Sequence, residues 1–443
     1  MTDQPTAEQL DSDDVASDAE VLVLLEAFVR ARLGPDTTIE GFSRVSTGRS
    51  RENWLFDALW NHDGKLVREP LIVRRDPLGG LLETNRADEF SVLRALERVA
   101  IPTPQARWLD ASGDELGRPC LVMVRVDGTC DYYALNSGQP LENRIDLARR
   151  LCSLLADVHA VDWSAIGLGE HLCDPGPMAS LVALAEWEAV LQRDQVEPYP
   201  ELSLGAQWLR KNAPRSPRTV LVHADFKVGN VLLDSAGNIA ALLDWELAHL
   251  GDPHEDLGWV TQPLRKKEHY VKGSWERDEL LSHYEIASGF AVDPAAVEWW
   301  NVFAAYKTAV MQASGLRAYI EGRSTEHYQP SAPVLKAVLN AATGCSKTGR
   351  GSNGDSSAMD DVTFLRWDTA QTLDLLGQHS EVVGTDGVES IDSLVSANRT
   401  ARQSLASLIA TLTDKEDRSR QSEIGAHLLR RVDANPALAR KPR

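Results

Sequence analysis

Hydrophobic and polar positions change their period partway along the chain. Between residues 38 and 126 the apolar positions come in short runs broken by turn residues, and after Asp127-Gly128 they recur at helical spacing. Ahead of both, residues 21–33 predict a helix, with Asp18 as its cap and Gly34-Pro35 closing it. The runs 38–45, 53–60 and 66–74 predict strands. Asn61-His62-Asp63-Gly64 is a turn between the last two, which makes an antiparallel meander. Residues 84–99 place Phe90, Leu93, Leu96 and Val99 on one stripe, so they predict a helix, stopped by Pro102 and Pro104. Strands at 105–109 and 119–126 complete a small sheet-based lobe with one helix set into it.

The second half reads as helix at 141–161, 179–195 and 203–211, then again from Trp275 onward, through 297–321 and 332–343. Three short strand signals interrupt it at 219–222, 231–233 and 239–243. Residues 346–358 have the Gly/Ser composition of a flexible linker. Beyond it helices are expected at 363–377, 388–412 and 420–432, and the middle one aligns Ile391, Leu394, Val395, Leu405, Leu408, Ile409 and Leu412. The expected organisation is an acidic leader over 1–20, a sheet lobe over 21–126 and a mainly helical lobe over 127–345. A linker over 346–362 and a helical segment over 363–443 follow; that segment would suit a homodimer or a protein partner. The leader is too poor in apolar residues to pack.

Composition narrows the class. The 443 residues are 43% hydrophobic and 25% charged, ordinary for a globular protein, and long enough for two or three domains. A formal net charge of −19 argues against a general nucleic-acid binder and against adhesion to anionic membranes. No apolar run approaches the roughly 18–20 residues of a membrane span. Residues 1–20 lack Lys and Arg, the opposite of a secretory signal. Cys120, Cys130, Cys152, Cys173 and Cys345 are odd in number and contain no C-x-x-C pair, which reads as reduced thiols in a cytoplasmic protein.

The chemistry concentrates in residues 220–259. His223-Ala224-Asp225 breaks the first strand signal, and Asp234-Ser235-Ala236-Gly237-Asn238 joins the next two as a hairpin turn. Asn230 then stands at the entrance to the hairpin and Asp244 at its exit, so the two should be neighbours, with Asp225 on the loop just before. Two carboxylates and a carboxamide make a hard, oxygen-rich site that suits Mg²⁺ carrying a phosphate.

His223-x-Asp225-x-x-x-x-Asn230 followed by Leu243-Asp244-Trp245-Glu246 resembles the paired signature of the protein-kinase superfamily. The Asp-Trp-Glu form, with the run WELAHLGDPHEDLGW, is similar to the aminoglycoside phosphotransferase and choline kinase-like family. Within that family it looks most like the phosphotransferases related to kinase domains fused to acyl-CoA dehydrogenases. The resemblance covers residues 21–345. It implies an α+β, bilobal, protein-kinase-like fold and transfer of a γ-phosphoryl group from ATP, or from GTP, to a small-molecule hydroxyl with Mg²⁺.

The resemblance also implies roles. Asp225 would orient the acceptor hydroxyl and take its proton, while Asn230 and Asp244 would hold the metal. Lys227 would either reach the transferring phosphoryl group or stay a solvated loop charge. His223 is better read as a brace of the loop, and Asp256 as an acid that holds it. Arg74 occupies the strand position of the phosphate-binding lysine, with Arg75 as the alternative on the opposite face. Glu89 is the candidate ion-pair partner, ahead of Glu83 and Asp88. Residues 46–53, including Gly48 and Ser50, would form the loop over the phosphates, and Met123 and Val124 begin the hinge that would meet the nucleobase. His249 and His254 have no metal spacing.

Trp163, Trp187, Tyr199, Trp208, Trp299, Trp300 and Tyr306 lie in the segments expected to face the acceptor, although core is the better reading for most of them. A mixed, aromatic wall points to a partly apolar acceptor such as a hydroxyacyl thioester rather than a polycationic antibiotic. A nucleotide-binding pseudokinase or adaptor scaffold, and an antibiotic-modifying enzyme, are the competing readings. Ala224 and Val228 stand where relatives often have Gly and Pro.

Overall fold

A computed structural model of the protein describes residues 18–45, 52–77, 84–324 and 326–342. The expected phosphate loop with Gly48 and Ser50, the leader up to residue 17, Glu83, and the linker and helices beyond residue 342 lie outside the described residues. The chain forms two compact units. One gathers its described residues up to 134 with 161–173 and 227–249; the other gathers 135–160, 174–226 and the described residues from 250 onward.

In the first unit, the strands β1 (Thr38–Arg44), β2 (Glu52–His62), β3 (Lys65–Arg75), β4 (Ala106–Asp110) and β5 (Cys120–Val124) form one antiparallel sheet in the order β1-β2-β3-β5-β4. Its longest ladder follows directly from the turn that joins β2 to β3. Asp63 and Gly64 both have positive φ (51° and 76°), the mirror-image turn whose twist suits a two-residue hairpin, and His62 opposite Lys65 sets the register as far as Glu52 opposite Arg75. Period-two alternation puts Leu71, Val73 and Arg75 on one face of β3 and Ile72 and Arg74 on the other. Helix α1 (Asp18–Leu33) covers the first face with Val21, Leu25, Phe28 and Val29 against Trp54, Phe56, Leu71, Val73 and Val122. Each of these large side chains contributes about 1.5–3 kcal/mol by leaving water. Asp18 lies inside this helix rather than capping it, and its carboxylate accepts a hydrogen bond from Trp54 Nε1 at 2.9 Å.

Helix α2 (Arg86–Leu96) starts where Asn85 caps it, the Asn85 side chain accepting from the Ala87 amide. The same unit holds the hairpin β7 (Val231–Leu233) and β8 (Ile239–Leu242), with Val231 opposite Leu242.

The second unit is helical, with α3 (Leu141–His159), α4 (Ala179–Asp194), α5 (Pro200–Lys211), α6 (Pro253–Thr261), α7 (Lys266–His269), α8 (Arg277–Ser288), α9 (Pro294–Ile320) and α10 (Ala332–Ala342). Strand β6 (Val220–Val222) pairs with the short β9 (His249–Gly251). Helix α9 is the axis of its core. Trp299, Trp300, Phe303, Tyr306, Ala309, Val310 and Ala313 are buried against Leu184, Tyr199, Leu202, Leu209, Leu335 and Val338. Most of the aromatics considered for an acceptor wall are therefore core: Tyr199, Trp299, Trp300 and Tyr306 are buried, and Trp187 and Trp208 pack on them.

Helix α6 has no expectation from periodicity, because it is buried on every side and so shows no stripe. Asp252 and Pro253 start it, the Asp252 carboxylate accepting from the His254 amide. Gly258 lets it meet α9: a Cβ there would lie 2.3 Å from Trp300 Cβ. Among the described residues no helix is long and apolar enough to cross a membrane.

Candidate active site

The first unit builds a cluster of guanidinium and carboxylate groups on the α2 face of β3. Arg74 points to this face and Arg75 does not, which separates the two candidates. Arg74 donates from Nη1 to Glu89 Oε1 (3.3 Å) and from Nη2 to Asp244 Oδ1 (2.6 Å) and Glu246 Oε2 (2.8 Å). Arg86, one helical turn before Glu89, ion-pairs with its other oxygen, reaches Glu246 Oε2 at 3.1 Å and donates to Asp76 Oδ1 at 2.7 Å. Arg75 instead is 2% exposed among the core side chains under α1, where it donates to Glu52 (2.8 Å) and to the Leu116 carbonyl (3.2 Å) and lies over the Trp54 ring.

The hairpin brings Asp244 to this cluster. The Leu243 amide donates to the Asn230 carbonyl at 2.8 Å, so the entrance and the exit of the hairpin are adjacent, as its composition implies. Asp244 adopts a left-handed backbone (φ 70°), a conformation uncommon for a non-glycine residue. Asn230 is buried, and its amide donates to the Lys227 carbonyl at 2.9 Å.

Two guanidinium groups here face four carboxylates, Asp76, Glu89, Asp244 and Glu246. Burial alone would lower the Arg74 pKa, but Asp244, Glu89 and Glu246 hold it well above its ordinary value, so it stays charged. Burial pushes Glu89 up, against the pull of Arg74 and Arg86. The surplus of negative charge, with oxygen donors on Asp244 and Asn230, fits a hard divalent cation. Among the described residues, no group of three or more His, Cys, Asp or Glu could hold a metal by itself.

The stretch expected to begin the hinge lies at the end of β5. The Val124 amide donates to the Gln105 carbonyl and the Arg125 amide to the Pro70 carbonyl, both at 2.9 Å, so sheet pairing has already used these N–H groups. Met123 sits in the ladder opposite Ile72 and Ala106.

The second unit holds the His223-Ala224-Asp225 loop from below. Asp256 on α6 is fully buried; Oδ2 accepts from the His223 amide and Oδ1 from the Ala224 amide, each at 2.8 Å. His159 Nε2 lies 3.1 Å from Asp256 Oδ2, while its Nδ1 meets Tyr284 Oη at 2.6 Å. Burial alone would raise the Asp256 carboxyl, yet the hydrogen bond and charge of His159, with His223, hold it below the usual carboxylate range. His223 itself is buried; its Nδ1 accepts from the Asp225 amide at 3.3 Å and its ring packs edge-on against Phe226. His254 braces α6, with Nδ1 at 2.7 Å from Asp252 and Nε2 accepting from the Asp293 amide. His249 Nδ1 meets the Leu247 carbonyl.

The "Phosphotransferase enzyme family" matches residues 43–300, more than half of the chain. The chain belongs to this family. Curated relatives of this family member include mouse acyl-CoA dehydrogenase family member 10, 27% identical over 299 residues, covering 63% of this chain and 27% of the relative. Rat acyl-CoA dehydrogenase family member 11 is 27% identical over 273 residues, covering 57% and 34%. The chain thus spans about a third or less of the length of the curated relatives it matches. A crystal structure from Ralstonia eutropha, assigned as an aminoglycoside phosphotransferase, superposes with a TM-score of 0.51 at 21% identity over 72% of this chain and 94% of that one. The fold is therefore the kinase-like one of this phosphotransferase family, a sheet lobe with a mainly helical remainder, and the chemistry it supports is small-molecule phosphoryl transfer.

Sequence reasoning missed Arg86, Glu246, His159 and Lys307. Glu246 stands inside the Asp-Trp-Glu motif, and Arg86 stands at i−3 from Glu89, so each carried a local signal. Lys307 is the lone charge in the apolar run 299–316. His159, at the end of α3, carried no signal that separates it from an ordinary surface histidine.

Proposed function

We propose that the chain transfers the γ-phosphoryl group of ATP, or of GTP, to the hydroxyl of a small, partly apolar metabolite such as a hydroxyacyl thioester. The observation that carries this reading is Arg74 bonded at once to Glu89 and to Asp244. That arrangement joins the strand cation, the helix acid and the acid at the hairpin exit, the three charges that phosphoryl transfer needs around the triphosphate.

Asn230 and Asp244 would hold Mg²⁺, which when bound offsets the negative charge spread over the phosphoryl oxygens. Arg74 would present its fork to phosphate oxygens while Glu89 keeps it in place; a guanidinium is suited to this because it stays charged and binds in a plane. Asp225 would orient the acceptor hydroxyl and receive its proton. His223 and Asp256 fix the backbone on which Asp225 stands, and Lys227 would be a second cation for the phosphoryl group. Gly48 and Ser50 would close over the phosphates. The acceptor class rests on the names of the relatives, which speak of acyl-CoA.

Phosphoryl transfer from ATP and from GTP, assayed with Mg²⁺ against hydroxyacyl-CoAs, sugars, choline and aminoglycosides, tests the reading. Turnover with a hydroxyacyl thioester supports it. Turnover with aminoglycosides alone removes the acceptor assignment, and no turnover with any acceptor removes the enzyme assignment.

A further inference from the structure

Helix α9 carries a single charge through its most buried stretch, Lys307, which is 2% exposed. A lysine among Phe303, Tyr306, Ala309 and Val310 loses hydration that an apolar residue of like volume would not need. Its surroundings show what the ammonium does instead. Nζ donates to the Ala224 carbonyl at 3.0 Å, lies 3.9 Å from Glu255 Oε1, and sits over the rings of Trp187 (5.3 Å) and Trp259 (5.2 Å).

Ala224 is the residue directly before Asp225, and its backbone is left-handed (φ 65°), a conformation that costs an alanine about 1–2 kcal/mol. Both peptide groups that flank its Cα are held by charged side chains. Asp256 accepts from the Ala224 amide on one side, and Lys307 donates to the Ala224 carbonyl on the other. The carbonyl that Lys307 holds shares its peptide plane with the Asp225 amide, so it sets the direction in which the Asp225 side chain leaves the loop.

We infer that Lys307 is a positioning residue for Asp225: its ammonium clamps the Ala224 carbonyl, and with Asp256 on the other side it keeps the loop in its strained turn. The inference rests on the phosphotransferase reading above. Lys307 is buried and acts on Asp225 through one peptide plane. Burial pushes its pKa below the usual lysine range, against the pull of Glu255, Asp225 and Asp256 around the loop it holds.

The test uses the full chain with Lys307→Met and with the double variant Lys307→Met/Glu255→Gln, which also removes the carboxylate facing the ammonium. Two readings are taken, steady-state transfer from ATP with Mg²⁺ and amide hydrogen exchange over residues 220–227. The expected result in both variants is a kcat lowered by about 10²-fold with KM for ATP unchanged, since a misplacement of about 1 Å at the reacting group costs that much. Exchange at the Ala224 and Asp225 amides should be about tenfold faster, with the rest of the unit protected as in the wild type. Unchanged kcat in a folded variant overturns the inference. Unchanged exchange overturns it too, as does a kcat loss that only follows the unfolded fraction. If the wild-type chain transfers no phosphoryl group to any acceptor, the phosphotransferase reading falls, and the exchange result alone then upholds or overturns the clamp.

Discussion

The acid–guanidinium cluster around Arg74 and the brace around Asp256 solve opposite problems with similar residues. Each contains a residue in a left-handed backbone, Asp244 in the first and Ala224 in the second. In the first, the strained residue carries a charged side chain on the partly exposed side of the cluster, and its partner is another side chain, Arg74. In the second, the strained residue has no functional side chain, and its backbone is tied to fully buried groups. A side-chain ion pair can change partners when a triphosphate arrives. A backbone group bonded to a buried carboxylate cannot do so without opening the unit. The first region is thus suited to exchange, the second to holding still.

Removing the group that the second region holds should have the largest effect. Asp225→Asn should lower kcat by about 10²–10⁴-fold, the contribution of a positioned general base, with nucleotide affinity retained. Equilibrium binding of ATP alongside transfer rates checks this, and weakened binding of similar size would assign Asp225 to the nucleotide instead.

Arg74 and Arg75 sharpen the comparison, since adjacent residues face different partners. Arg75→Met takes one guanidinium from Glu52, which keeps Arg118 at 2.9 Å, and should cost about 1.5–3 kcal/mol of stability, read as a lower denaturation midpoint, with transfer per folded molecule unchanged. Arg74→Lys should leave the midpoint near that of the wild type and raise KM for ATP about tenfold, because an ammonium cannot reproduce the planar fork. The reverse pattern would exchange their roles.

The smallest effect is one of sign with pH. Asp256 is held below its ordinary value, so the native state binds fewer protons than the unfolded state in the interval between its folded pKa and about 3.9. Its stabilising contribution is present above that interval and is lost as pH falls through the folded pKa. Glu89 is raised by burial, so the native state binds more protons from about 4.3 up to its folded pKa, and stability falls as pH rises through that window. Denaturant titrations of Asp256→Asn and Glu89→Gln against the wild type should therefore flatten opposite slopes, at the acidic and at the less acidic end. Slopes of the same sign in the two variants would mean that the regions do not differ in this way.

The degree to which these regions could be read in the sequence follows from how local their causes are. The β2–β3 and β7–β8 hairpins were legible because turn chemistry and alternating burial act over a few residues, and the adjacency of Asn230 and Asp244 follows from the second hairpin alone. Helix α6 was not legible, although it carries Asp256, because a helix buried on all sides shows no stripe and its acids resemble a loop. The pairing of the Val124 amide was not legible, because only the neighbouring chain at Gln105 decides it.

The sequence by itself determined the elements that show a stripe or an alternation, the order of the motif and the hairpin geometry, all of which depend on backbone preference and on residues close along the chain. It also determined that Arg74 and Arg75 face opposite ways, since strand alternation requires it. Which of the two faces the carboxylates was decided by tertiary structure, through the helix that covers one side of the sheet. The meeting of Arg86 with Glu246, 160 residues apart, and of Lys307 with Ala224, 83 residues apart, was likewise decided only in the fold. Charge pairing at close range depends on distance in space, and no local pattern of residues encodes that distance.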